Sequence, residues 1–134
     1  MLSILIPVYN WDVRELVTEL YRQGRDAGIP FEILCFDDDS TAAFQTLNRD
    51  MEKLEGVRYL EMPENLGRAR IRNRLGQAAQ FPYLLFMDCD SKPVYSDFIQ
   101  RYCKDLHPLA VLAGGTVYDP IPPADGGGLL FKFC

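Results

Sequence analysis

Short apolar runs recur along most of this chain, and segments of helical spacing separate them. Runs with the length and composition of strands cover residues 2–8, 31–36, 57–61, 83–87 and 109–113. Segments with apolar side chains at helical spacing predict helices over about 12–24, 42–54, 68–79 and 95–105. Strands that alternate with helices in this way form a parallel sheet with helices on both faces. The predicted fold class is therefore α/β, with Asn10 or Asp12 as the expected cap of the first helix.

Length and composition indicate one folded domain. The chain has 134 residues, and 48% of them are hydrophobic, as in ordinary globular proteins. Prolines and glycines concentrate between Asp119 and Gly128, which indicates a loop. We expect a domain over 1–118, followed at 119–134 by that loop and the start of a further region that is cut off.

The charge and the cysteines exclude several classes of protein. A formal net charge of −5 argues against a nucleic-acid-binding surface. The four cysteines form no CxxC pair and there is one histidine, so a zinc site is not expected. No apolar run approaches the length needed to cross a bilayer, and we expect a cytoplasmic chain, either free or at the inner face of a membrane.

Carboxylates follow two of the predicted strands. Asp37, Asp38 and Asp39 come directly after the second strand, and Asp88-Cys89-Asp90 follows the run at 83–87. In open α/β sheets, ligands bind at the carboxyl edge of the strands. Carboxylates are oxygen ligands suited to Mg²⁺ or Mn²⁺, which often bridge a protein to a diphosphate. The two clusters therefore predict one shared site.

Four arginines lie in the third predicted helix, at positions 68, 70, 72 and 74. At about 100° per residue, Arg68 and Arg72 flank the apolar face of this helix, whereas Arg70 and Arg74 lie on the opposite side. We expect Arg72, and then Arg68, to reach an anionic ligand. Arg70 and Arg74 are expected to face solvent.

Five groups of residues, taken in order, resemble the family-2 glycosyltransferases of the Rossmann-like GT-A fold. They are IPVYN at 6–10, DDDST at 37–41, NLG at 65–67 with ARIRN at 69–73, DCD at 88–90, and GG at 114–115. The resemblance extends from residue 2 to about residue 118. No GxGxxG is present, which argues against a dinucleotide site.

The resemblance implies a role for each matching residue. Pro7, Val8 and Tyr9 stand where the family packs a loop on the nucleobase. Asn10, the next residue of this loop, is also expected to bind the donor. Asp37 or Asp38 stands where a carboxylate bonds the base, which is usually uracil.

For the diphosphate and the metal, the resemblance points to the third helix and the DxD motif. Arg72, with Arg68 second, is expected at the diphosphate, and Asp88 at the ribose. Asp88 and Asp90 are the expected ligands of Mn²⁺ or Mg²⁺. The family often has glycine where Asp39 stands, and this departure is expected to affect the loop, because glycine tolerates positive φ better.

The implied reaction is transfer of a sugar, with inversion, from a nucleotide-diphosphate donor to an acceptor hydroxyl. A UDP-sugar is the expected donor, and a saccharide or lipid-linked molecule the expected acceptor. In the family the general base lies downstream of the DxD motif, and no matching segment precedes Cys134. The chain is therefore expected to be a donor-binding half that turns over poorly alone and associates with itself through its unfinished edge.

Two other classes of function remain open. Nucleotidyltransferases use a related fold, but they usually carry a glycine-rich, basic loop where this chain has Pro7-Val8-Tyr9-Asn10. The second alternative is a non-catalytic binding or assembly module. It is favoured modestly by the apolar residues between Leu129 and Phe133, which would need a partner.

Overall fold

The computed structural model of the protein describes residues 1–114. Its strands are β1 (Leu2–Val8), β2 (Phe31–Asp37), β3 (Val57–Glu61) and β4 (Tyr83–Phe86). Its helices are α1 (Arg14–Ala27), α2 (Ala42–Asn48), α3 (Arg68–Ala78) and α4 (Phe98–Lys104), and a 3-10 helix at Arg49–Lys53 continues α2. None of the helices in this part of the chain is both long and apolar enough to cross a membrane.

The four strands form one parallel sheet in the order β3-β2-β1-β4, which confirms the predicted fold class. β1 and β2 lie in the middle of the sheet, and their side chains are buried on both faces. This explains why they appear in the sequence as continuous apolar runs rather than as alternating patterns.

Helices cover both faces of the sheet, as predicted. On one face, Ile4, Ile6 and Ile33 pack in a core that also takes side chains from α1, α4 and the 3-10 helix. On the other face, Leu5 and Leu34 pack against α3. Alternate residues of each strand therefore serve two separate cores.

The strand order creates a crevice at the carboxyl edge of the sheet. From β1 the chain proceeds outward to β2 and β3, and then crosses to β4 on the other side of β1. The direction of the strand order therefore reverses at β1, and the helices α1 and α3 lie on opposite faces of the sheet. Such a reversal point is where open α/β sheets bind ligands.

The prediction of a strand at 109–113 is wrong. Within residues 1–114 this segment pairs with no strand, and the side chain of Leu109 is 100% exposed. Ala110 instead donates a backbone hydrogen bond to the carbonyl of His107, at 3.0 Å, within a turn. An apolar run needs a neighbouring strand to accept its backbone hydrogen bonds, and none lies beside this one in the described part of the chain. The loop and further region predicted at 119–134 lie outside the described residues.

The predicted helix ends were wrong by several residues. α1 continues past Gly24 to Ala27, and Gly28 ends it at φ 64° with a 3.1 Å bond from its N–H to the carbonyl of Arg25. Gly24 lies inside the helix, and the ring of Phe31 lies 2.7 Å from where a Cβ would stand, so this position requires glycine for packing rather than for a helix stop. At the other end, the N-cap is Val13, which makes no side-chain bond, so neither Asn10 nor Asp12 is the cap, although Asp12 accepts the N–H of Arg14 at 3.1 Å.

Two further helices are shorter than predicted. α2 ends at Asn48 and continues as the 3-10 helix, and the buried Asn48 side chain bonds to the loop before α1. α4 begins at Phe98 rather than near residue 95.

Candidate functional site

A cleft of about 520 Å³ lies at the crevice between the ends of β1 and β4. Seven of the residues predicted for the site line it, namely Pro7, Val8, Tyr9, Asp38, Arg68, Asp88 and Asp90. Asn65, Gly67, Ile71, Cys89 and Trp11 complete the lining. Asn10, Asp37 and Arg72, also predicted for the site, are not part of the lining.

Asp37 is fully buried behind the cleft. One carboxylate oxygen accepts the N–H of Ser40 at 2.7 Å, and the other accepts the hydroxyl of Tyr59. Burial raises the pKa of the Tyr59 phenol, and its hydrogen bond to Asp37 raises the pKa further, so the phenol keeps its proton as the donor. Asp37 therefore holds the loop after β2 in place.

Asp38 lies at the cleft and joins two of its walls. Its carboxylate accepts the N–H of Leu66 at 2.6 Å and that of Gly67 at 3.0 Å. Its own N–H donates to the carbonyl of Val8 at 2.8 Å, and its carbonyl accepts the side chain of Asn65 at 2.9 Å. Of the two carboxylates predicted to contact a base, only Asp38 borders the cleft, and it retains unused lone pairs.

Asn10 connects the loop after β1 to the loop after β2. Its N–H donates to the hydroxyl of Ser40 at 2.8 Å, and its side-chain oxygen accepts the N–H of Thr41 at 2.8 Å. Its φ of 47° lies in the left-handed region, which asparagine tolerates better than most residues. The side chain of Asn10 is thus used within the protein rather than in the cleft.

Asp39 also has a left-handed backbone, with φ 68°. This is the position where the resemblance leads one to expect glycine. Its side chain is exposed, so the steric conflict at this position is limited to that between the Cβ and the backbone. The loop after β2 therefore keeps a conformation that suits glycine.

Arg72 and Arg68 both point at Asp88. A guanidinium nitrogen of Arg72 pairs with one carboxylate oxygen, and a nitrogen of Arg68 lies 3.5 Å from the other. The Arg72 guanidinium also stacks 5.4 Å from the centroid of the Phe86 ring. Two cations therefore converge at the edge of the cleft, on the carboxylate that opens the DxD motif.

The other two arginines of α3 point away from Asp88. Arg70 is exposed and forms no ion pair within residues 1–114. Arg74 is also exposed, and one of its nitrogens lies 3.7 Å from the sulfur of Met62.

The carboxylates of the DxD motif fit a divalent cation that arrives with a ligand. Asp90 is exposed at the cleft, and Asp88 is half-exposed. No third acidic residue, histidine or cysteine joins them to form a three-ligand group among the described residues. Mg²⁺ and Mn²⁺ suit such a site, because one or two carboxylates with phosphate oxygens and water can complete their coordination.

Trp11 is a cleft residue that the sequence reasoning missed. It is the only tryptophan of the chain, and its side chain remains 48% exposed beside Tyr9. The amide of the buried Asn48 donates to its carbonyl at 2.8 Å. The sequence contained one signal for this residue. Trp11 directly follows Tyr9 and Asn10 in a loop that was already predicted at the edge of the sheet, where ligands bind.

A family model described as glycosyl transferase family 2 matches residues 3–106. The chain belongs to this family. The match contains the whole cleft, from Pro7 to Asp90, and all of the sheet except Leu2, the first residue of β1.

Two similar proteins show what the family-2 chain is related to. The TuaG protein of Bacillus subtilis (strain 168), named as a teichuronic acid biosynthesis glycosyltransferase, is 30% identical over 94 residues, which make up 69% of this chain and 36% of TuaG. The crystal structure of S. aureus TarS 1-349 in complex with UDP-GlcNAc is 25% identical, with a TM-score of 0.52, over 66% of this chain and 26% of that chain.

A third relative shares the fold at lower identity. The mannosyltransferase PcManGT from Pyrobaculum calidifontis, solved with GDP-Man and Mn²⁺, has a TM-score of 0.62 at 19% identity, over 77% of this chain and 31% of that chain. The likeness to PcManGT and TarS confirms the predicted GT-A fold. This family-2 chain spans 36% or less of the length of the curated relatives it matches.

Proposed function

We propose that the cleft binds the nucleotide-diphosphate sugar donor of a glycosyltransferase reaction. The observation that carries this proposal is the convergence of Arg68 and Arg72 on Asp88, beside the exposed Asp90, at the reversal point of the sheet. Cations suit a diphosphate, and carboxylates suit a ribose and a metal ion. One crevice therefore holds groups for each charged part of such a donor.

The nucleobase is proposed to lie between the loop after β1 and the loop at Asn65–Gly67. Pro7, Val8 and Tyr9 form one side, and the Tyr9 ring is 55% exposed, which leaves it available for stacking. Asp38 stands opposite with unused lone pairs that can accept an N–H of the base. Uracil has one such N–H, and TarS, a relative at 25% identity, was solved with UDP-GlcNAc. UDP is therefore the proposed carrier.

The diphosphate is proposed to compete with Asp88 for the two arginines. Each guanidinium has five N–H donors, so Arg72 and Arg68 can contact phosphate oxygens while one donor stays near Asp88. Because Arg72 also stacks on Phe86, its guanidinium is held in place before the donor arrives. This reduces the entropy that would otherwise be lost on binding.

Asp90, with Asp88 beside it, is proposed to hold Mn²⁺ or Mg²⁺. Such an ion stabilises the charge that develops on a leaving diphosphate. In this proposal Asp90 binds the metal ion, and Arg72 and Arg68 balance the remaining negative charge of the diphosphate. Inversion, a saccharide or lipid-linked acceptor, and a general base downstream of Asp90 are further parts of this proposal, carried over from the family resemblance.

Calorimetric titration with UDP tests this function. We expect UDP to bind in the presence of Mn²⁺ and to bind at least about tenfold more weakly to Asp90→Ala or Arg72→Ala. Glu55→Ala and Arg70→Ala are the matched controls, since both side chains are exposed and lie outside the cleft. Equal UDP binding by Asp90→Ala would exclude a metal site at the DxD motif. A folded chain that binds neither UDP nor GDP would overturn the proposed function.

A further inference from the structure

The loop from Tyr9 to Val13, called loop 9–13 below, brings two aromatic side chains to the donor cleft. Tyr9 and Trp11 both line the cleft, and both side chains are exposed. The loop connects the end of β1 to the start of α1 and contains no helix or strand. Its backbone groups therefore need hydrogen-bond partners from other elements.

Asn48, the last residue of α2, holds the second half of this loop from behind. Its side-chain amide donates to the carbonyl of Trp11 at 2.8 Å, and its side-chain oxygen accepts the N–H of Val13 at 3.1 Å. These two bonds join residues that are 37 and 35 positions apart in the sequence. Both polar ends of the Asn48 side chain thus tie loop 9–13 to α2.

The burial of Asn48 indicates that this contact is its role. Of the seven residues of α2, only Asn48 is buried, and it is 0% exposed. A buried amide is costly unless its hydrogen bonds are made, whereas an apolar side chain could fill the same space without that requirement. Both bonds from the Asn48 side chain to the backbone go to loop 9–13. The position of this amide is therefore explained by the loop that it holds.

We propose that Asn48 is a positioning residue for donor binding and that it acts through Trp11. This rests on the proposed function, because the indole can contact the donor only if the donor occupies the cleft. Trp11 lines the cleft together with Asp88 and Asp90. An apolar ring beside these carboxylates covers the ribose and the diphosphate and excludes water, which strengthens the charge interactions there. A loop that is already anchored loses little further entropy when the donor binds.

A double-mutant cycle, measured by calorimetric titration with UDP and Mn²⁺, tests this proposal. Asn48→Leu keeps the volume but removes both bonds, and we expect it to raise the dissociation constant about tenfold, as Trp11→Ala should. The double variant should bind no more than about twofold more weakly than Trp11→Ala, because both changes remove the same contact. The Asn48 side chain also bonds to the phenol of Tyr59. An effect of Asn48→Leu that persists in full beside Trp11→Ala would assign the effect to Tyr59 and overturn the proposal.

Gln23→Leu is the matched control for a general loss of stability. It also replaces a buried amide by leucine, and Gln23 does not line the cleft. It should bind UDP as tightly as the unsubstituted chain, at a temperature where circular dichroism shows every variant to be folded. Equal weakening of UDP binding by Gln23→Leu and Asn48→Leu would mean that stability alone controls affinity. Unchanged UDP binding by Trp11→Ala, at an exposed position, would overturn the proposal whether or not Asn48→Leu folds.

The fluorescence of Trp11 gives a readout that needs no ligand, since it is the only tryptophan of the chain. Time-resolved anisotropy should show more fast local motion of the indole in Asn48→Leu and no change in Gln23→Leu, because only the first variant frees the loop. Unchanged motion in Asn48→Leu would overturn the anchoring role of Asn48. A folded, unsubstituted chain that binds neither UDP nor GDP would instead overturn the proposed function itself.

Discussion

The carboxylates that follow β2 and those that follow β4 have different roles because their burial differs. Asp37 is fully buried, and both of its oxygens are used by Ser40 and Tyr59. Asp88 is half-exposed and faces two arginines at the cleft. A buried carboxylate is tolerated only when its hydrogen bonds are made within the protein. Asp37 therefore stabilises the loop, whereas Asp88 is available to a ligand in the cleft.

Removal of the Tyr59 hydroxyl tests this assignment. In Tyr59→Phe the buried oxygen of Asp37 loses its donor, so we expect the free energy of unfolding to fall by about 1–3 kcal/mol. Urea unfolding measures the change. The control is Tyr21→Phe, which keeps the edge-on ring contact with Phe31 and should change stability by less than about 0.5 kcal/mol. Equal effects of the two substitutions would mean that the Tyr59 hydroxyl contributes nothing through Asp37.

The left-handed backbone at Asp39 leads to a second prediction at the residue scale. With φ at 68°, glycine avoids the steric conflict of a Cβ, so Asp39→Gly should unfold at the same or a higher urea concentration. Asp39→Ala keeps the Cβ, and alanine tolerates the left-handed region less well than aspartate does, so it should lower stability by about 1 kcal/mol. An alanine variant that is more stable than the glycine variant would contradict the left-handed conformation.

At the scale of elements, Gln23 attaches α4 to α1. It is 2% exposed, accepts the N–H of Ile99 at 3.1 Å and donates to the carbonyl of Tyr95 at 3.0 Å. Its amide also donates to Glu19 at 2.7 Å. The Gln23 side chain thus provides hydrogen-bond partners for backbone groups at the start of α4, where the N-cap residue makes no side-chain bond.

Replacement of Gln23 by leucine should loosen α4 more than it perturbs the sheet. Gln23→Leu keeps the volume but leaves the N–H of Ile99 unpaired, which costs about 1–3 kcal/mol, while the carbonyl of Tyr95 keeps only the N–H of Phe98 at 3.3 Å. Amide hydrogen exchange should quicken in α4 while β1 stays protected. Gln77→Leu, at an exposed position of α3, is the control. Unchanged exchange in α4 would show that apolar packing alone holds this helix.

The Glu19 carboxylate on α1 gives this attachment a pH dependence. Its hydrogen bonds to Arg22 and then Gln23 lower the pKa of Glu19 to about 2 from the ordinary 4.5. The contribution to stability is therefore present above about pH 4.5 and is lost as the pH falls toward 2. The stability difference between the unsubstituted chain and Glu19→Gln should narrow over that range. Glu55→Gln, at an exposed carboxylate without an ion pair in residues 1–114, should give no comparable trend.

The elements were predictable where the pattern is local. β1 and β2 appear as apolar runs because both of their faces are buried, and all four strands of the sheet lie within a residue of their predicted ends. The end of α1 was not predictable, because Gly24 resembles a helix stop until the Phe31 ring is seen packed against it. The strand predicted at 109–113 failed because pairing depends on a neighbour that an apolar run does not reveal.

At the scale of the whole molecule, the cleft is a product of strand order. Asp88 and Tyr9 are far apart in sequence and meet because β4 crosses to the far side of β1. The motifs identified most of the residues that line the cleft. They did not reveal that Asp37 is turned inward or that Trp11 lines the cleft, because those facts depend on the packing of Asn48 and Tyr59 behind the loops.

Ligand and metal should therefore stabilise the molecule together. UDP with Mn²⁺, at a hundredfold excess over its dissociation constant, should add about 2.7 kcal/mol and raise the midpoint of thermal unfolding. Mn²⁺ alone should do little, since the arginines already neutralise Asp88, and EDTA should reverse most of the shift given by the pair. With UDP and Mn²⁺, the midpoint of Asp90→Ala should rise only as much as that of the unsubstituted chain with UDP and EDTA. The midpoint of Glu55→Ala should rise as much as that of the unsubstituted chain with UDP and Mn²⁺. A UDP shift of the same size with and without EDTA would mean that the arginines bind the diphosphate without any metal, and would remove Asp90 from the site.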